Sequence, residues 1–403
     1  MGADAQEFKG KRIAVCMDGT WQRLRSKTPT NIAKIARAVD HEDFHGAKQI
    51  VVYTRGVGAA NDLSRDADGA LAGGLFGEGL ETDILDTYIR ICLNYQWGDA
   101  LYIFGYSRGA FSARSLAGLI RRCGIVRRRH INRAPEAFDL YRKRFDGPDA
   151  PELVKFRQAT NKLRPEAMDK ASPPEIQFIG IFDTVGQRGL PSGLGFLTDI
   201  FNRKFEFHST DLSSTVLAAR HAVAIDERRF AFPPTLWTNL DELNAPHVAG
   251  GAGPYQLPYQ QRWFPGTHGD VGGGDPKAKL ADIPLSWIVE GAMQTGLKID
   301  LTEGTPLGEA ARTELLDPTA PFSAPARGLR VRRLPVKGKV LEPEQAAMLL
   351  HQAAPERALR LGRRYRPPTL RIARRTLRQL HAAMAVTELL LLAARSVRND
   401  AHA

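Results

Sequence analysis

One stretch constrains this chain more than any other: Ala100-Leu101-Tyr102-Ile103-Phe104-Gly105-Tyr106-Ser107-Arg108-Gly109-Ala110-Phe111. A short apolar run ends in Gly-Tyr-Ser-Arg-Gly. Phe111, Leu116, Leu119 and Ile120 then recur near a 3.6-residue period. The pattern predicts a strand, a tight turn and a helix, with Ser107 at the apex. A nucleophile elbow forces its serine into a strained backbone, and the flanking positions must be small to clear the neighbouring strand and helix. The helix that follows points its N-terminus at the site, where unpaired N–H groups favour developing negative charge. A glycine-rich turn binding an anion is the plainer alternative.

At 403 residues the chain holds one large domain with insertions, or two domains. Its 43% hydrophobic and 25% charged content are those of a globular protein. The net charge of +12 suits nucleic acid, an anionic membrane surface, or merely solvated basic segments. Cys16, Cys92 and Cys123 are scattered, without metal-ligand spacing, and read as core thiols of a reducing compartment. Met1 to Lys11 is polar, so no Sec signal is expected, and no apolar run reaches transmembrane length. The expectation is a cytoplasmic protein, or one exported by a route that needs no cleaved signal.

Arg12 to Met17 reads as a buried parallel strand ending in Asp18-Gly19-Thr20-Trp21. A carboxylate and a hydroxyl there lie where open α/β sheets keep their sites, though Asp18 could simply cap nearby backbone N–H groups. Thr30-Asn31 caps a helix over 32–39, and residues 49–54 form a second strand. A helix is expected over about 79–96; the glycines at 73, 74 and 77 lack the Gly-Lys-Ser/Thr of a phosphate loop. Residues 175–182 form another strand, ending in Asp183-Thr184-Val185-Gly186. An acid there, after the serine in the chain, is where an α/β-hydrolase keeps the group that orients its histidine. A helix is expected over 212–223, carrying His221 as a packed residue, and Asp226 is the reserve acid. An aromatic strand then runs into Gly266-Thr267-His268-Gly269-Asp270-Val271-Gly272-Gly273-Gly274, a small-residue loop that lets an imidazole reach a serine. Asp270 could pair with His268 or, with Asp18, bind a metal. A helix over 283–295 follows.

Six ordered blocks together carry a resemblance. They are Asp18-Gly19-Thr20-Trp21, Pro29-Thr30-Asn31-Ile32, Gly105-Tyr106-Ser107-Arg108-Gly109-Ala110, Phe182-Asp183-Thr184-Val185-Gly186, Ala224-Ile225-Asp226-Glu227-Arg228-Arg229, and Trp263 to Gly274. The chain resembles an uncharacterised bacterial α/β-hydrolase domain family that includes type VI secretion phospholipase effectors. The resemblance spans about residues 11–297, with a fainter echo at Tyr365-Arg366-Pro367. It implies a Ser–Asp–His esterase fold and phospholipase A activity, with Ser107 and His268 in the catalytic roles and Asp183 as the acid. Gln22, where the family often has Asn, and Asp275, where an aromatic is common, depart from its pattern.

From Arg357 to Arg378 there are nine arginines and no acid. Leu370, Leu377, Met384 and Leu391 then recur every seven residues. This predicts a basic amphipathic helix of about 28 residues, too polar to span a bilayer but suited to an anionic membrane surface through 357–395, or to docking on its own domain.

The fold expected is α/β: a mostly parallel α/β-hydrolase-like sheet with helices on both faces. The hydrolase domain covers 11–300, with insertion or cap segments at 121–174 and 186–260. A loop-rich extension covers 301–369 and the basic helix 370–398. The expected activity is that of a serine hydrolase acting on carboxylic esters, above all lipid esters, with Ser107, His268 and Asp183 as its triad. Arg108 and the Asp18-Gly19-Thr20 turn would supply oxyanion donors. No metal or cofactor is expected. The alternatives are an esterase on a soluble or polymeric ester, and a non-enzymatic membrane- or nucleic-acid-binding protein on a hydrolase scaffold. Nucleic acid is the weaker partner, because the basic residues are not interleaved with stacking aromatics.

Overall fold

The computed structural model describes residues 10–19, 22–56, 73–143, 145, 147–161, 172–185, 211–230, 232–302, 305, 307–308, 316–336 and 341–373. Six strands, β1 (Arg12–Met17), β2 (Gln49–Thr54), β3 (Ala100–Tyr106), β4 (Phe178–Phe182), β5 (Ala219–Ala224) and β6 (Tyr259–Phe264), form one sheet. Their order is β2-β1-β3-β4-β5-β6, and every pairing is parallel.

Side chains alternate between the two faces of a strand, so a parallel sheet covered on both faces needs apolar residues at nearly every position. Ile13, Val15, Met17, Leu101, Ile103, Ile179 and Ile181 share one buried cluster. It is covered by α2 (Gly73–Asn94), α3 (Arg108–Cys123), α4 (Ala134–Arg142) and α5 (Pro151–Thr160). Ala14, Cys16, Tyr102, Phe104, Phe178 and Phe182 share the other cluster, with α1 (Asn31–Ala38) and a late helix, Asp282–Gln294. The three cysteines are buried and free. The glycines at 73, 74 and 77 lie inside α2.

Three expectations are corrected. Residues 219–224 are strand β5, not the end of a helix over 212–223, and they build the sheet rather than a cap. Arg220 and His221 interrupt the apolar run that would have marked a strand; both are buried and engaged. Arg220 reaches Trp287 O, Glu290 and Gln294, and His221 reaches Gln261 Oε1 at 2.9 Å. Within the expected cap at 121–174, α4 and α5 pack into the main core through Ala137, Phe138, Tyr141, Leu153 and Phe156.

The extension after 301 is likewise part of the fold. Leu334, Leu341, Ala346, Leu350, Ala354, Tyr365 and Leu370 bury against Val223, Ile225 and Trp263 at the β5–β6 end of the sheet. Of the expected basic helix over 370–398, the structure describes only residues 370–373, which end a 3-10 turn, Pro368–Ala373; the rest lies outside the described residues.

The strand order reverses direction at β1, so the carboxyl ends of β1 and β3 flank a switch point, where open α/β sheets hold their sites. Two glycines let α3 close against that point. A Cβ on Gly109 would sit 2.1 Å from Met17 O, and one on Gly105 would sit 2.6 Å from Ala110 Cα. Both obstacles are backbone, so neither can swing aside. Gly109→Ala should therefore lower unfolding stability by about 2 kcal/mol or more, read from the urea midpoint. Gly269→Ala, whose Cβ would meet only Ser323 Oγ at 3.6 Å, should stay within about 0.5 kcal/mol of the parent.

Candidate active site

Ser107 sits between β3 and α3 with φ 57° and ψ −119°, a conformation that L residues rarely adopt. Its N–H is tied to Phe182 O at 3.0 Å, which fixes the elbow against β4. Asp183, directly after β4, is the only other non-glycine residue with positive φ among those described. His268 comes from beyond β6 and opens a short helix, α7 (His268–Gly272), which follows α6 (Leu240–Ala249) and precedes α8 (Asp282–Gln294) in the chain. The loop expected there is thus a helical turn, capped by Thr267 and Asp270.

The three side chains meet. His268 Nε2 lies 2.8 Å from Ser107 Oγ, and Nδ1 lies 2.6 Å from Asp183 Oδ2. All three residues are nearly or wholly buried. Burial alone would raise the Asp183 pKa. The Arg332 guanidinium, with help from His268, instead holds it well below the usual carboxylate range. An ionised Asp183 makes Nδ1 the donor and leaves Nε2 to accept the Ser107 hydroxyl proton. The Tyr106 ring and the Phe232 ring each lie 4.9 Å from the imidazole and hold it in place. Gly272 makes room for Tyr106: a Cβ there would fall 1.9 Å from that ring.

Arg332 has no counterpart in the sequence reading. Its guanidinium is wholly buried and donates to Asp183 Oδ1 at 2.6 Å and Oδ2 at 3.0 Å. It also donates to Ala224 O and Phe232 O, each at 2.8 Å. Ala224 N completes the carboxylate's partners at 2.9 Å. Glu227 was missed too: it accepts the His268 backbone N–H at 3.2 Å and pairs with Arg229 at 2.8 Å. Arg332 stands in a run, Arg327 to Arg333, whose composition suggests a solvated strip. Only the alternation of Leu329, Val331 and the arginines hints at an extended segment with one inward face.

The other expected site residues fall elsewhere. Asp18 accepts from both Thr30 Oγ1 (2.8 Å) and Tyr53 Oη (2.7 Å), and burial raises its pKa. It also takes the Gly19 N–H at 2.7 Å, so it ties down its own turn and that amide is engaged. Gly19 nevertheless lies against the serine: a Cβ there would be 3.6 Å from Ser107 Cβ. Thr20 is outside the described residues. Arg108 opens α3 and is among the residues lining a small cavity with Asp18, Arg55 and Asp83. Asp226, the reserve acid, does not meet His268. It accepts from Gly266 N (2.8 Å) and Tyr365 Oη (2.9 Å), and burial pushes its pKa up to about 6.

Asp270 does not face the imidazole either; it is used by Thr267 and by Ser323 N at 2.7 Å. With Asp18 and Asp270 committed to separate turns, the metal-site alternative loses its ligands. Among the described residues no cluster of three His, Cys, Asp or Glu side chains could hold a metal ion. His221 lies on β5, not on a helix; its Nε2 accepts the Thr184 N–H at 3.3 Å and so steadies the residue after Asp183. Burial, with Arg114 nearby, lowers its pKa to about 3.

A parallel sheet with a strained serine elbow at its switch point and a histidine delivered from after the last strand is the arrangement of the α/β-hydrolase fold. Residues 11–291 match the family of the type VI secretion, Tle1-like phospholipase effector catalytic domain, and the chain belongs to that family. An uncharacterised protein of Saccharomyces cerevisiae is 29% identical over 240 residues, covering 57% of this chain and 33% of its own length.

Among solved structures, an uncharacterised protein from Pseudomonas aeruginosa superposes with a TM-score of 0.38 and 19% identity, over 76% of this chain and 49% of that one. The Tle1 effector bound to the VgrG spike of the type VI secretion system gives 0.36 and 19%, over 66% and 52%. A thermophilic esterase from Thermogutta terrifontis, with propionate bound, gives 0.34 and 10%, over 73% and 87%. The chain spans a third of the yeast relative and about half of the first two structures. Arg332 lies beyond the family's matched residues.

Arg332→Met should leave Asp183 buried and uncompensated, costing about 3 kcal/mol at pH 7 by chemical unfolding. In the parent the depressed Asp183 pKa contributes stability above the ordinary carboxylate range, lost only in strong acid. In the variant the carboxyl protonates readily, so the deficit should shrink as pH falls toward 4.

Proposed function

We propose that the chain is a serine carboxylic-ester hydrolase whose substrates are lipid esters, phospholipids first among them. The observation that carries this is the hydrogen-bonded series Ser107–His268–Asp183, met in the chain order Ser, Asp, His on an α/β-hydrolase sheet. His268 Nε2 takes the Ser107 proton as Oγ attacks the ester carbonyl. The imidazolium that forms is stabilised by Asp183 and returns the proton to the leaving alcohol. Water, deprotonated by His268, then clears the acyl-enzyme.

The backbone N–H of Arg108, the residue after the nucleophile, is one oxyanion donor; the Asp18 and Gly19 amides of the adjoining turn, expected as donors, are spent on Thr54 O and on the Asp18 carboxylate. Asp18, held by Thr30 and Tyr53, positions that turn. Arg332 is a positioning residue: it orients Asp183 and keeps it ionised. Family membership supports the lipid class of substrate.

The test is a fluorophosphonate probe, followed by phospholipid and short-chain ester panels. The parent should label, and Ser107→Ala and His268→Ala should not. Ester hydrolysis should fall at least about a thousandfold in Ser107→Ala. Hydrolysis at the parent rate in Ser107→Ala would overturn the mechanism. Turnover of soluble esters with none of phospholipid would leave the esterase and discard the phospholipase.

A further inference from the structure

Two segments run side by side next to the His268–Asp183 flank of the site. One comprises 226–230, leaving β5, with Phe232; the other is 327–334. Arg330 N–H donates to Arg228 O at 3.1 Å, and Arg330 Nη1 to Phe230 O at 3.3 Å. Gly328, at φ 106°, lets the backbones approach: a Cβ there would lie 2.3 Å from Arg228 O. Each segment has an inward set. Phe232 packs on His268, Glu227 holds the His268 N–H, Arg332 holds Asp183, and Leu334 joins the core.

The outward set is unlike an ordinary surface. Leu329 is 100% exposed, Phe230 69% and Val331 40%. Between and around them Arg327, Arg330 and Arg333 are exposed, with the Arg330 guanidinium 5.8 Å above the Phe230 ring. The two acids of these segments, Asp226 and Glu227, are buried and already bonded. The outward face is therefore apolar and cationic with no exposed carboxylate of its own.

Scattered exposed apolar residues need no explanation, but a cluster held on a braced strip and rimmed by arginines marks a contact surface. We propose that Phe230, Leu329 and Val331, with Arg327, Arg330 and Arg333, dock this chain on an anionic lipid surface. The apolar side chains enter the headgroup–acyl boundary, and the guanidiniums bind lipid phosphates in bidentate fashion. A lipid surface fits better than an acidic protein because the strip pairs apolar side chains with guanidiniums, the complement of acyl chains under anionic headgroups, and because it borders the site. The inference rests on the lipid-ester reading of that site. In the basic run that begins at Arg357, that first arginine is buried against Phe322 and Tyr365 and is not available to a membrane.

The experiment is vesicle sedimentation of the full chain carrying Ser107→Ala, so that the lipid stays intact. The vesicles are phosphatidylcholine alone or with phosphatidylglycerol, at low and high salt. Salt-sensitive binding to the anionic vesicles is expected, with at least a tenfold loss of partitioning in Phe230→Ser/Leu329→Ser and in Arg327→Gln/Arg330→Gln. With Ser107 restored, both doubles should keep parental melting temperature and soluble-ester turnover while losing vesicle hydrolysis. Parental partitioning in both doubles, no binding of the parent to either vesicle, or binding lost only on removal of 374–403 would each overturn the proposal. Patch-dependent binding by a chain that hydrolyses no ester would uphold the surface and sink the hydrolase reading instead.

Discussion

A carboxylate wholly removed from water must be compensated on every side, and Asp183 is. Its two oxygens accept from Ala224 N, from both terminal nitrogens of Arg332 and from His268 Nδ1. Breaking such a set strands a charge in low dielectric, so each member is held by the cost of losing the others. The set joins β4, β5, the turn after β6 and a segment near residue 332. The described residues after 301 are thus bound into the site and the sheet beside it. Their apolar side chains close the β5–β6 end of the sheet, and the Arg332 guanidinium completes the acid's surroundings.

The other organising constraint is closeness. At the carboxyl ends of β1 and β3, the Ser107 elbow, the Asp18–Gly19 turn and the Tyr106 ring are in contact. Gly105, Gly109 and Gly272 each stand where one added carbon would strike backbone or ring. Asp18, which a motif reading places among the chemical groups, spends its carboxylate on Thr30, Tyr53 and Gly19. Its contribution to the proposed chemistry is to shape the turn beside the serine. Asp226 and Asp270 are likewise local fasteners, one to Gly266 and Tyr365, the other to Thr267 and Ser323.

Strands with continuous apolar runs, β1, β3 and β4, were legible because burial on both faces demands such runs. Helix α1 was legible from its threonine cap, and α3 from the periodicity after the elbow. Strand β5 was not, because Arg220 and His221 are polar residues on a buried strand. Their partners come from α8, β6 and the Thr184 backbone, and nothing in residues 212–223 announces them. The segments marked as cap and extension looked polar and loop-rich, yet α4, α5 and residues 334–370 supply core. Short helices with few apolar residues declare themselves only through what they pack against.

By itself the sequence determined the class of fold, the serine at its elbow, and the order in which serine, acid and histidine follow one another. Those depend on local pattern: an apolar run, small residues beside a strained turn, a polar group at a strand's end. Which of three aspartates meets the imidazole, and that an arginine 149 residues further along neutralises it, were decided by tertiary structure alone. The reason is physical. A carboxylate's role depends on the groups that surround it in space, and Asp183, Asp226 and Asp270 differ in those surroundings far more than in their neighbours along the chain.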